Sequence, residues 1–230
     1  IQRAGRERKF RVHVPAGYDP QRPAPLIVAF HGWGGDALEF LGRSIVTSEL
    51  DRRGFILLAP VGLGPEELVR SPASWSFSGS TTGLDGDGKN TGVTDDTDAI
   101  CDDDRTTDYT YSSCAAVAAN GCSWTQCSDN DLDYAVSLVR VARENLCVDT
   151  ARVYAVGGSN GGMFTWDLGR EPTAAETFRA IAPIIGLPHR GYLEPPVRDG
   201  GMPVLSITGV NDPTVPPGAW GDKRYTTTSD

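Results

Sequence analysis

Nowhere in this sequence does an apolar run approach the ~20 residues that a membrane-spanning helix needs. The longest, Leu26 to Phe30, has the length of a buried strand. Basic side chains are also scarce: 21 Lys and Arg stand against 30 Asp and Glu, for a formal net charge of −9. That deficit removes the basic face a nucleic-acid binder presents, and it disfavours adsorption to anionic membranes. No nucleic acid and no membrane span are therefore expected, and the acidic surface suits neutral or weakly charged substrates. Asn-x-Ser/Thr sequons are missing, so glycosylation says nothing about compartment. Histidine is limited to His13, His31 and His189. The chain opens on Ile1 without a signal peptide, as expected of a mature or partly observed form.

What is present is a chain of 230 residues, enough for one α/β domain with a sizeable core. A single domain over residues 1–230 is expected. Four of the five cysteines, Cys101, Cys114, Cys122 and Cys127, fall in a stretch rich in Asp, Ser, Thr and Gly; Cys147 is the fifth. Such a stretch packs no core of its own, so disulfides are its natural staple and an oxidising compartment is expected. Zinc spacings of the CxxC…CxxC or Cys/His kind are absent. Five is odd, so one cysteine is free or pairs outside this sequence, and the pairing is not chosen by spacing. Residues 81–130 are accordingly expected to form a disulfide-stapled insertion near the mouth of the site.

Outside that insertion the pattern is regular. Lys9 to Val14 alternates like an edge strand, while Leu26–Phe30 and Phe55–Ala59 are continuous apolar runs of doubly buried strands. Asp36 is placed to start a short helix through Leu41. Leu132, Ala135, Val136, Val139, Ala142 and Leu146 recur at helical spacing. Arg152–Val156, Ala180–Ile185 and Val204–Thr208 read as further strands, with a helix from Met163 to Leu168 between the first two. This order predicts an α/β fold with a mostly parallel sheet and helices on both faces. The last strand and helix of such a fold are not evident, so a C-terminal part beyond Asp230 is expected.

The chemistry concentrates at Gly157-Gly158-Ser159-Asn160-Gly161-Gly162. A serine hydroxyl is a poor nucleophile until a base takes its proton. A strand-turn-helix elbow presents it above a sheet, and glycines two before and two after give the turn room. Ser159 is therefore the expected nucleophile. Attack on an ester carbonyl builds charge on oxygen that preset N–H donors stabilise. Asn160, directly after the nucleophile, and Trp33, in the turn His31-Gly32-Trp33-Gly34-Gly35, are the expected oxyanion donors. Asp212, after the Val204–Thr208 strand, is expected to orient the base, with Asp199 a weaker alternative. In chain order the base follows the acid, yet all three histidines precede Asp212. The base is thus expected beyond Asp230, with His189 as an alternative. His31 is expected to hold its loop by hydrogen bonding. Trp75, Phe77 and Trp166 are candidates either for an aromatic acyl pocket or for core.

Val153 to Met163, containing the elbow, closely resembles the nucleophile region of the polyhydroxybutyrate depolymerase and feruloyl esterase group of secreted α/β-hydrolase esterases. His31–Gly35 looks like that group's oxyanion loop, and Leu132-Asp133-Tyr134 and Gly209–Pro216 are similar in place and type. The resemblance covers roughly residues 9–60 and 130–217. It implies the α/β-hydrolase fold and a secreted serine esterase that cleaves carboxylic esters through an acyl-enzyme. Feruloyl or acetyl esters on polysaccharide, or polyester, are the implied substrates. The insertion departs from the group in length and acidity.

No cofactor is expected. Asp85-Gly86-Asp87-Gly88-Lys89-Asn90 raises calcium, but the EF-hand pattern is incomplete, with Lys89 where an oxygen ligand belongs, so a solvated acidic loop is expected. The absence of a histidine after Asp212 supports an alternative: a catalytically inactive relative serving as a binding or structural subunit of an extracellular assembly.

Overall fold

The structure, a computed structural model, describes residues 1–3, 6–62, 73–75, 109–111, 116–118, 131–186 and 201–210. A short antiparallel pair, β1 (Gln2–Arg3) and β2 (Arg6–Glu7), precedes the main sheet. That sheet has five strands. They are β3 (Phe10–His13), β4 (Ala24–Phe30), β5 (Ile56–Pro60), β8 (Val148–Gly158) and β9 (Ala180–Ile184). Between β5 and β8, β6 (Tyr109–Tyr111) and β7 (Ala116–Ala118) form a separate antiparallel pair. The order in the main sheet is β3-β5-β4-β8-β9. All neighbours are parallel except β3, which runs antiparallel to β5 at one edge.

Beyond β9 the chain adds residues 203–207 in parallel through isolated bridges at Val204 and Ile207. The expected strand from Val204 to Thr208 is thus a sheet edge held at two points. Leu205 and Ile207 are exposed.

The helices fall on both faces because β4 alternates. Leu26, Val28 and Phe30 join one buried cluster with α3 (Asp131–Asn145), α4 (Asn160–Arg170) and α5 (Pro172–Thr177). Ala29 faces the other way, with Leu57, against α1 (Leu38–Leu41) and α2 (Ser44–Arg53). The cap of α1 falls one residue later than expected, at Ala37, while the Asp36 carboxylate accepts from Leu38 N–H at 2.6 Å just before it. The α3 face is turned from the expected one. Tyr134 and Leu138 are fully buried, whereas Leu132, Val136 and Leu146 pack only in part. Tyr134 can sit so deep because its hydroxyl donates to the Lys9 carbonyl at 2.8 Å.

Arg8 and Asp131 form a buried ion pair at 2.6 Å, tying the start of the sheet to the first residue of α3. The Arg8 guanidinium also lies 4.1 Å from the Tyr134 ring centroid. Among the described residues Cys147 is a free thiol. Cys101, Cys114, Cys122 and Cys127, and the acidic run from Asp85 to Asn90, lie outside them. No described helix is long and apolar enough to cross a membrane.

Candidate active site

β4 and β8 lie side by side, with Phe30 opposite Gly157, so both deliver their following loops to the same carboxyl-end edge of the sheet. Ligands bind at this edge in open α/β sheets. Ser159 sits there between β8 and α4, half-buried, with φ 52° and ψ −120°. A non-glycine residue rarely holds that backbone, which stores of order 1–3 kcal/mol of strain. The surroundings enforce it. Ser159 N–H donates to Ile184 O at 2.9 Å, and Ser159 O accepts from Met163 N–H at 2.9 Å as the first turn of α4 closes. The flanking glycines are obligatory. A Cβ on Gly157 would overlap the Gly161 carbonyl, and one on Gly161 would overlap the carbonyl of Phe30.

The turn after β4 stands directly beside the elbow. A Cβ placed on Gly32 would lie 3.5 Å from Ser159 Cβ. One backbone hydrogen bond closes the turn on itself and two tie it to neighbouring segments. Gly35 N–H donates to Gly32 O at 3.0 Å, Gly34 N–H to Ala73 O at 2.8 Å, and Gly32 N–H to a Glu39 carboxylate oxygen at 2.9 Å. Trp33 is at the outer tip, 38 % exposed.

His31 is completely buried beneath this turn. Its Nε2 lies 2.9 Å from Gly62 N–H, and only an unprotonated nitrogen accepts that bond. Nδ1 therefore carries the proton and donates to Gly32 O at 2.7 Å. Burial pushes the imidazole below its ordinary value, outweighing the Gly32 bond and the Asp36 carboxylate, which push the other way. His31 thus holds the loop, as its position before Ser159 in the sequence implied.

A second device ties loop to elbow. Trp75 Nε1–H donates to His31 O at 2.8 Å, and Trp75 N–H donates to Asn160 Oδ1 at 2.8 Å. Asn160 is completely buried. Its side chain thus has a structural task that the sequence did not reveal. Trp75 is equally buried and stacks on Phe164 at 5.5 Å, edge-on to Phe30 at 5.1 Å. It belongs to the core under the site and not to an acyl pocket. Trp166 is half-buried against the same core.

Of the expected site residues, the structure brings Ser159, Asn160 and the Trp33 turn together. Asp212, Asp199, His189 and Phe77 lie outside the described residues. His13 is remote, its Nε2 2.9 Å from Asp51 Oδ1 at the exposed edge. Glu39 is the residue that sequence reading missed. No group of three or more potential metal ligands occurs among the described residues.

No family model matches the chain. Over 219 residues it is 28 % identical to NocK of Nocardia uniformis subsp. tsuyamanensis, a protein provisionally named an esterase. The match covers 93 % of this chain and 47 % of NocK, so the chain spans about half the length of this curated relative. Among solved structures it is similar to Thermogutta terrifontis esterase 2 phosphorylated by paraoxon. That likeness has a TM-score of 0.55 at 15 % identity and covers 94 % of this chain and 70 % of the other. The same esterase phosphoramylated by tabun gives a TM-score of 0.56 at 16 % identity, over 94 % and 71 %. The fold is that of an α/β-hydrolase. The named similarities, in sequence and in structure, are to esterases.

Proposed function

We propose that this protein is a secreted serine esterase that hydrolyses carboxylic esters, of the feruloyl or acetyl polysaccharide type or of polyesters. The observation that carries this reading is the strained Ser159 backbone, wedged between two glycines that admit no Cβ, at the carboxyl edge of the sheet. The likeness to NocK supports it.

In this reading Ser159 Oγ attacks the ester carbonyl carbon while an imidazole base takes its proton. The N–H groups of Trp33 and Asn160 hold the oxyanion. The tetrahedral intermediate collapses, the C–O bond to the alcohol breaks, and the proton passes from the imidazole to the departing alcohol. Water then repeats the sequence on the acyl-enzyme. Asp212 orients the base. That base is neither His31, which is locked beneath the loop, nor His13, which is paired with Asp51; an imidazole from outside the described residues supplies it. The acidic surface favours neutral esters over polyanionic ones.

The test is a fluorophosphonate label on the full-length protein, followed by peptide mapping. A covalent adduct on Ser159, lost in Ser159→Ala, is expected, together with hydrolysis of p-nitrophenyl acetate. An unlabelled Ser159 would overturn the esterase reading and leave that of a binding subunit.

A further inference from the structure

Glu39 reaches from α1 into the gap between the turn after β4 and the nucleophile elbow. One carboxylate oxygen accepts from Gly32 N–H at 2.9 Å. The other lies 3.2 Å from where a Cβ of Gly158, the residue before Ser159, would stand. A Cβ on Gly35 would overlap the first oxygen. Three residues that lack side chains thus enclose one half-buried carboxylate beside Ser159.

Resting on the esterase reading above, we propose that Glu39 is a positioning residue for the oxyanion loop: its carboxylate clamps the Gly32 peptide and so fixes the next peptide, whose N–H belongs to Trp33. The hydrogen bond is what matters and the charge is a by-product. A negative charge this close to a developing oxyanion opposes catalysis by Coulomb repulsion. Removing a carboxylate from water is also unfavourable in itself. Burial accordingly pushes the Glu39 carboxyl upward, against the Gly32 N–H bond and the Arg43 charge, which pull it down; Asp36 adds to the upward push. A group held at such a cost, with its acceptor aimed at the loop, acts through geometry.

Glutamine keeps the reach and the acceptor while dropping the charge, and aspartate keeps the charge while losing one methylene of reach. In the full-length protein, Glu39→Asp and Glu39→Ala are each expected to lower kcat on p-nitrophenyl acetate about tenfold or more, with KM within about twofold. Glu39→Gln is expected to restore most of the lost kcat. Thermal midpoints are recorded alongside. Should the alanine variant fail to fold, the aspartate and glutamine pair still decides. Equal losses in Asp and Gln variants, or none in either, would overturn the clamp. Fluorophosphonate labelling of the wild type separates the two failures. A labelled wild type with an equally fast Glu39→Asp variant overturns the role of Glu39 alone, and an unlabelled wild type overturns the esterase reading with it.

Discussion

Asn160 grips the backbone of Trp75 from both sides: its Oδ1 accepts from Trp75 N–H at 2.8 Å, and its Nδ2 donates to Trp75 O at 3.4 Å. The residue whose N–H is proposed for the oxyanion therefore also anchors the segment that caps the aromatic core. Asn160→Ala leaves the buried Trp75 N–H without an acceptor. The expected loss is about 2 kcal/mol in urea denaturation, the scale of an unsatisfied buried donor. An unchanged midpoint would show that the contact contributes nothing.

The Ser159 backbone is a store of strain. Glycine adopts φ 52° without a steric penalty, whereas alanine carries the same Cβ as serine. Ser159→Gly is expected to raise unfolding free energy by about 1 kcal/mol, with Ser159→Ala near the wild type. Both variants are expected to lose ester hydrolysis. Differential scanning calorimetry on the two variants checks the ordering.

His31 makes stability depend on pH. Burial holds its imidazole below the ordinary value of about 6.5. The unfolded chain therefore binds a proton that the native state refuses. This stabilising contribution is complete above pH 6.5 and declines as pH falls below it, by up to about 1.4 kcal/mol per pH unit. Urea denaturation of wild type and His31→Gln between pH 7.5 and 5.5 reads this directly: the gap between the two proteins is expected to narrow as pH falls. A gap that stays constant would rule out a neutral His31.

Arg8 and Asp131 are 4 % and 1 % exposed, so neither charge is hydrated when its partner is gone. Arg8→Met alone, or Asp131→Leu alone, is expected to cost about 3–5 kcal/mol. The double variant is expected to regain most of that, because it leaves no uncompensated charge. A double-mutant cycle measures the coupling.

The sequence was most legible where the signal is local. Continuous apolar runs marked β4, β5 and β9, and the Gly-x-Ser-x-Gly spacing between strand and helix marked the elbow, whose backbone is as strained as that spacing demands. Legibility failed where tertiary context decides. In α2 only Leu50 is buried, and Ile45 is 72 % exposed, so no apolar periodicity announces the helix. Its one cue was terminal: Arg52 and Arg53 followed by Gly54, which adopts φ 71° at the helix end. The turn of the α3 face depended on Tyr134 finding a carbonyl on another segment. Glu39 had no local signature either. A carboxylate seven residues after Gly32 becomes a clamp only once a four-residue helix folds back over the turn.

The end of β9 links two parts of the molecule that are far apart in sequence. Ser159 N–H rests on Ile184 O, and the next residue, Ile185, rests its own N–H on Ile207 O at 2.6 Å while held at φ 45°. Two hydrogen bonds and one stiff, β-branched residue thus separate Ser159 from the edge segment at residues 203–207. The Ser159 turn and the edge segment are braced against a common strut, so a displacement of residues 203–207 would be transmitted to the height of the Ser159 amide.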